Sequence, residues 1–528
     1  MKRTGILIVF SFMYVLSHSQ HFKPTFSSLQ QYECPEWIQK AKFGINCHWN
    51  AQSASKSSNN GWYARQMYEE GSPAYIDHLK NWGHPSEVGY KDVVMAWEAP
   101  EFNAERLVSL FKDAGAKFVV TMAVHHDNFD FWNSKHQPKW NSLNYGPKKD
   151  VCKEMREAAL KAGLKWGVTT HLERAYSWVQ SNKGADKTGD KVGISYDGNM
   201  KEYQDLYVEY PNFRNLGPVF YHYRSPLASP DSWKKHWKAR LFDLIDNYHP
   251  DFFYFDGALP YTDDGGKVGM EVLAHYYNDN AKMHKGKNEG FMGLKDIKYH
   301  GVFFPGVTST VLERSYTDKI ETVPKLSEES IGPWFHFENA KYYSSRRIIS
   351  TLADVVSKNC IFMLNIPPKG DGSIDEKAMI LLKEIGNWMK VNGDAIYETK
   401  PWKTFGEDNI RYTTKDNVLN VIICSDLKNN ILLSSLKGWK KDDILSINLL
   451  GYNERINFND SNLGILLNLP QDIKKGSPAY VFQINCKKLN EQPYTVVNQE
   501  SVKKMNEEAA KMFGATGNKR SEEHTSEL

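Results

Sequence analysis

The sequence predicts an α/β protein: a (β/α) TIM-like barrel followed by a small antiparallel β-sandwich domain. Three observations carry this reading. Short apolar runs with strand character alternate with helical patterns, glycine turns separate them, and past Pro401 the helices drop out. Strand-then-helix repetition means a parallel sheet covered by helices. The span from about residue 40 to 395 suits a barrel carrying long loop insertions. A doubly wound sheet is the alternative, but no Gly-x-Gly-x-x-Gly or P-loop follows an early strand.

The elements follow in order. Lys42-Phe43-Gly44-Ile45 reads as the first strand, and residues 104–114 as a helix with Leu107, Leu110 and Phe111 at helical spacing, stopped at Gly115. Residues 117–124 form a buried strand, 155–162 a helix ended by Gly163, and 164–169 the next strand. A helix at 233–248 then leads into Phe252-Phe253-Tyr254-Phe255. The barrel closes with a helix at 347–358, a strand at 361–364 and a helix at 376–391, ended by Asn392-Gly393. Residues 410–414, 418–424, 444–449, 464–469 and 479–484 are short strands without intervening helices, the texture of a sandwich.

At the N-terminus Lys2 and Arg3 precede an apolar run at 5–16 and then Ser17-His18-Ser19. This is the pattern of a secretory signal peptide, cleaved before Gln20. The predicted organisation is therefore a signal peptide at 1–19, a catalytic barrel at 20–398, a sandwich at 399–487, and a polar tail or the start of a further segment at 488–519. Residues 500–519 read as a short helix within that tail, and residues 520–528 match the translation of a common sequencing adapter. The expected location is secreted or periplasmic. No later run approaches the roughly 18 apolar residues a membrane span needs, so no membrane insertion is expected.

Lys+Arg 66 against Asp+Glu 63, interspersed, argue against a nucleic-acid partner. The six cysteines show no C-x-x-C pair, which points to buried free thiols rather than a zinc site. The 15 Trp and 28 Tyr fit either a sugar-binding cleft or a large aromatic core.

Barrel enzymes carry catalytic groups at the C-terminal ends of strands. Four strand ends pass this filter: His48-Trp49, His125-His126-Asp127, His171 and Asp256-Gly257. Asp256, after four aromatic positions, is a partly desolvated carboxylate suited to a nucleophile or base. Adjacent histidines of an extended chain point to opposite faces, so His125 and His126 are expected not to chelate one metal. Neutral imidazoles instead suit sugar hydroxyls. Glycoside hydrolysis needs a second carboxyl group. Glu313, Glu328, Glu329 and Glu338 are candidates that spacing cannot separate.

Taken together the strand ends resemble glycoside hydrolase family 29, the α-L-fucosidases. The resemblance runs through Lys42-Phe43-Gly44-Ile45-Asn46-Cys47-His48-Trp49-Asn50, Trp62-Tyr63-Ala64-Arg65, His125-His126-Asp127-Asn128-Phe129-Asp130-Phe131-Trp132, and Gly146-Pro147-Lys148-Lys149-Asp150. It continues through the Asp256 strand, Ser330-Ile331-Gly332-Pro333-Trp334-Phe335, Leu364-Asn365-Ile366 and Trp388-Met389-Lys390-Val391-Asn392-Gly393.

The resemblance implies a retaining double displacement on an α-linked fucoside. Asp256 would be the nucleophile, a glutamate the acid/base, and His48, His125, His126 and His171 would bind fucose hydroxyls. Trp49 and Trp334 would pack near the sugar's apolar edge. No metal or organic cofactor is expected, and the partner is a fucosylated oligo- or polysaccharide. Two departures stand out. Lys325-Leu326 replaces the Trp-Glu that carries the acid/base in many members, which moves the assignment to Glu313 in a Glu-Arg element, with Glu328 or Glu329 as fallback. Asn46, Cys47 and Asn50 replace the usual Phe, Ile and Gly, which implies an altered pocket and a modified sugar such as sulfated fucose or L-galactose. The competing readings are a catalytically idle carbohydrate-binding protein on the same fold, and a retaining α-L-galactosidase.

Overall fold

A computed structural model of the chain describes residues 20–57, 61–209, 227–297 and 301–489. The leader at 1–19 and the tail helix and adapter-like end beyond 489 lie outside the described residues. Eight parallel strands close into a barrel in sequence order. They are β1 (Phe43–Cys47), β2 (Phe118–Val124), β3 (Lys165–Thr170), β4 (Phe252–Phe255), β5 (Phe291–Lys295), β6 (Ser309–Glu313), β7 (Leu326–Ser330) and β8 (Ile361–Asn365). Closure is made by β1 against β8, with Ile45 opposite Leu364, while Ile45 faces Val119 on its other side.

Side chains alternate across this sheet, as the strand pleat requires. Phe118, Val120, Phe252, Tyr254, Phe291, Val311, Leu326, Ile361 and Met363 form one buried cluster, the barrel interior. Their neighbours Val119, Phe253, Phe255, Met292, Leu294, Phe362 and Leu364 belong to the larger core between sheet and helices. Carried on to the strand ends, the inward parity reaches His48, His171, Asp256, Lys295, Glu313 and Asn365. The alternation that fills the barrel therefore also aims these polar groups into its mouth.

Room inside the barrel is made by glycine. A Cβ on Gly167 would lie 2.2 Å from the Phe252 carbonyl oxygen of the neighbouring strand, a backbone atom that no rotamer change can move. Gly167→Ala is expected to cost about 1–3 kcal/mol by overpacking, read as a lowered thermal midpoint. An unchanged midpoint would show that the barrel breathes at this level.

The helix at Asp231–Tyr248 leads into β4, and Ser345–Ser357 leads into β8. The first of these begins after Pro230, while Ser344 caps the second by accepting from Arg347 N. After the helix Glu376–Asn392 the chain enters two antiparallel sheets, one of five strands and one of three. They share a core of their own that includes Tyr412, Val421, Leu433, Ile447, Ile465 and Phe482. This module is fastened to the barrel through Trp388 Nε1, which donates to Ala479 O at 2.9 Å, and through Arg411 Nε to Asp354 Oδ1 at 2.6 Å.

Beyond β5 and the helix Lys267–Met283, which are absent from the sequence-predicted elements, two barrel strands, β6 and β7, escape a reading by apolar runs. The reason is visible in their residues. Ser-Thr-Val-Leu-Glu and Leu-Ser-Glu-Glu-Ser hold few of the apolar residues expected of buried parallel strands: Glu313 and Glu328 face the barrel mouth, and Thr310, Ser327 and Glu329 make the opposite face polar as well. All six cysteines are free thiols, four of them buried. No helix among the described residues is long and apolar enough to cross a membrane.

Candidate active site

Asp256 follows β4 directly, and its N–H donates to Thr170 O at 3.0 Å, which extends the ladder to β3 by one residue. Its side chain keeps 14% exposure, so it can be reached from the barrel mouth. Lys295 Nζ donates to Oδ1, as does the Tyr254 hydroxyl at 3.4 Å. Around Oδ2 stand His171 Nδ1 at 3.0 Å, His126 Nε2 at 3.5 Å and Arg174 Nη1 at 3.9 Å. Burial alone would raise this carboxyl's pKa, but the Lys295 ammonium and His171 hold it well below the usual carboxylate range. Asp256 is therefore an ionised oxygen donor, unprotonated at neutral pH.

Lys295, at the end of β5, reaches a second carboxylate as well: its Nζ lies 2.5 Å from Glu313 Oε2 on β6. Burial would strip the proton from this ammonium. The carboxylates of Asp256, Glu313 and Glu328 outweigh that and hold its pKa above the ordinary lysine range. Glu313 is 36% exposed and stands at the mouth. Glu328 is buried below it, Glu329 points the other way into a hydrogen bond from Tyr316 OH at 2.6 Å, and Glu338 is exposed on a loop. Consecutive strand residues face opposite sides, which removes Glu329 from the candidates for the acid/base.

The histidines have assigned faces. Asn365 Oδ1 accepts from both His48 N (2.8 Å) and His48 Nδ1 (3.0 Å), while Asn365 Nδ2 donates to Trp334 O and so fixes the amide. His48 therefore carries its proton on Nδ1 and presents an acceptor at Nε2. Burial and the neighbouring His171 lower its pKa to about 3, so it is neutral. Gln52 Oε1 accepts from Ala64 N, which leaves Gln52 Nε2 to donate to His125 Nδ1 at 3.3 Å. His125 then presents a donor at Nε2. One acceptor and one donor on adjacent rings, with centroids 6.3 Å apart, suit a pair of sugar hydroxyls. Trp334 lies 5.0 Å from the His48 ring, Phe335 5.1 Å from His125 and Trp178 5.3 Å from His126, making an apolar surround.

Three expectations need correction. His125 and His126 do not face opposite sides: their ring centroids are 4.5 Å apart, because the strand ends at Val124 and the chain turns there. With His171 they bring ring nitrogens within 4.8 Å of one another, a spacing that could hold a metal ion. The hydrogen bonds argue for a sugar instead, since His125 is set to offer a proton rather than a lone pair. Trp49 packs on Trp97, Phe102 and Phe131 and donates to Lys369 O at 2.7 Å, so its ring is committed to the core. Asn46 donates to Glu328 Oε1 at 2.8 Å, and Asn50 to Asp127 Oδ2 at 2.9 Å. These two departures at the first strand are matched inside the protein, which removes them as an argument for a modified sugar.

Lys295, Asn365, Phe335 and Trp178 are site residues that strand-end reasoning passed over. A lysine closing the apolar run Phe-Met-Gly-Leu was the available signal for the first.

A sequence profile described as α-L-fucosidase matches residues 9–394. Tissue α-L-fucosidase of Rattus norvegicus is 26% identical over 456 residues, covering 85% of this chain and 89% of that protein. Plasma α-L-fucosidase of Homo sapiens is 26% identical over 462 residues, again covering 85% and 89%. Among solved structures, Thermotoga maritima α-fucosidase in complex with fucose superposes with a TM-score of 0.69 at 24% identity, over 88% of this chain and 100% of that one. A family 29 α-L-fucosidase from Bacteroides thetaiotaomicron gives 0.62 at 17% identity, over 87% and 96%. At these identities the superpositions speak for the shared fold.

Proposed function

Because this chain belongs to the α-L-fucosidase family of glycoside hydrolases, we propose that it removes α-linked L-fucose with retention, through an ester formed on Asp256. The observation that carries the mechanism is the single Lys295 ammonium bound to both Asp256 and Glu313. Two oxygens hydrogen-bonded to one nitrogen lie no more than about 6 Å apart. Retaining enzymes hold their carboxyl groups at about 5–5.5 Å, whereas inverting ones need roughly 6.5–9.5 Å to admit a water.

In the first step an Asp256 oxygen attacks the anomeric carbon, the bond to the leaving oxygen breaks, and the Glu313 proton goes to that oxygen. Asp256 becomes a neutral ester as Glu313 becomes an anion. In the second step Glu313 takes a proton from water, the water oxygen attacks the same carbon, and Asp256 leaves as a carboxylate. Throughout, one of the two groups is charged and the other neutral. Lys295 touches both, so its partner changes without the ammonium having to move. Pre-set charge of this kind costs no reorganisation during reaction.

His48 and His125 are the proposed hydroxyl-binding pair, with His126 and His171 set against Asp256 and Trp334 on the apolar side. The substrate we propose is a fucosylated oligo- or polysaccharide. The basic-then-apolar stretch at residues 2–16 supports export to a periplasmic or extracellular location. The test is proton NMR of hydrolysis of an aryl α-L-fucoside. The first fucose released is expected to be the α anomer, with β appearing only by mutarotation. First release of the β anomer would overturn the double displacement, and no turnover of any α-L-fucoside would overturn the activity.

A further inference from the structure

β6 stops at Glu313, and the next residue is an arginine in an uncommon conformation. Arg314 has a φ of 45°, in the left-handed region that a side chain adopts at a cost, and its N–H donates to Glu328 O at 2.9 Å. The guanidinium is fixed from two sides. Nη2 donates to Gly332 O at 2.6 Å, and the Trp334 ring centroid lies 5.0 Å from Cζ. Trp334 is itself pinned, because Asn365 Nδ2 donates to its carbonyl and Ser330 Oγ to that of Pro333. The same indole stands 5.0 Å from the His48 ring. Arg314 is thus one ring removed from the histidine proposed to bind fucose, on the side of Glu313.

The charge of this arginine is only loosely matched inside the protein. Among the described residues its one ion-pair partner is Glu329, 3.8 Å from Nε and beyond hydrogen-bond reach. Glu329 takes its own hydrogen bonds from Tyr316 OH at 2.6 Å and Ser330 N at 3.0 Å. Among the described residues Gly332 O is the only acceptor bonded to the guanidinium, and the side chain is 38% exposed. Most of its N–H donors therefore remain for a ligand at the mouth.

We propose that Arg314 recognises the leaving group: it pairs with a carboxylate or sulfate on the group released, so that the substrate is fucose linked to an acidic sugar. The inference rests on the proposed reaction, in which the leaving oxygen lies at Glu313 and the leaving group extends over the rim at Arg314. A fixed guanidinium fork matches an oxyanion in two parallel hydrogen bonds, and little side-chain entropy remains to be lost. The anion is held alike before and during bond cleavage, so its effect belongs in KM rather than kcat.

The test compares aryl α-L-fucosides bearing a para carboxylate, a para sulfate or a neutral para carboxamide, on the wild type and on Arg314→Gln. The variant should lose about three- to tenfold more kcat/KM on an anionic fucoside than on the neutral one. Differences in phenol reactivity, and any loss of packing against Trp334, act alike on each comparison and cancel in this ratio. Loss confined to the carboxylate assigns a uronic acid, and loss confined to the sulfate assigns a sulfated sugar. Equal factors on all three would overturn the proposal. Should the variant fail to fold, salt gives a second reading on the wild type. Raising it from about 0.01 to 1 M shortens the Debye length from roughly 30 to 3 Å and should erode the preference for the anionic substrates. A ratio unmoved by salt would overturn the pairing. Turnover of none of the three would instead remove the fucosidase activity on which the site depends.

Discussion

Asp256→Gly is expected to lower kcat/KM on an aryl α-L-fucoside by about 10⁴- to 10⁶-fold, the scale at which losing a nucleophile is felt. The size follows from the arrangement around the carboxylate. A largely buried anion contacted by Lys295 and His171 is held ionised and oriented. The glycine leaves a cavity on the face of the sugar opposite the leaving group. Azide entering there should attack the anomeric carbon and restore turnover, giving the β-L-fucosyl azide. Wild-type rates in the glycine variant would remove Asp256 from the mechanism. Rescue yielding the α azide would show that the nucleophile is some other group.

Glu313→Ala should separate the two ends of the reaction. Loss of a general acid costs about 10²- to 10⁴-fold, but only where the leaving group needs a proton. A glycan or alkyl fucoside should suffer the whole loss. A dinitrophenyl fucoside should form the ester on Asp256 almost normally and then accumulate it, because water lacks its base. Azide needs no base, so it should discharge that ester and give the α azide. The opposite configurations expected from the Asp256 and Glu313 variants make the pair of experiments diagnostic. Should Glu313→Ala retain full activity on alkyl fucosides while Glu328→Gln loses it, the acid would be Glu328.

Asp256, the proposed nucleophile, was legible because local pattern and position agree. Four aromatic residues in succession read as a buried strand, and a carboxylate at its end falls at the barrel's active face. His48, His125 and His171 were legible on the same ground. The proposed acid/base was harder to place, since Glu313 and Glu328 sit in strands too polar to be recognised as strands. An alternation argument placed His125 and His126 on opposite faces and failed, because pleat geometry stops where the strand stops. Asn46 read as a change in the sugar pocket until its partner, 282 residues away, came into view.

Apolar periodicity and glycine turns by themselves determined that this chain forms a barrel followed by antiparallel sheets, and which strand ends carry reactive groups. These are local properties, written within a few residues of each other. Only the tertiary structure decided that Lys295 joins Asp256 to Glu313, that Glu328 lies beneath them paired with Asn46, and which face each histidine offers. Such assignments depend on side chains from all eight barrel strands or their ends meeting in one low-dielectric lumen. There the charge of each group is set by neighbours that are distant in sequence.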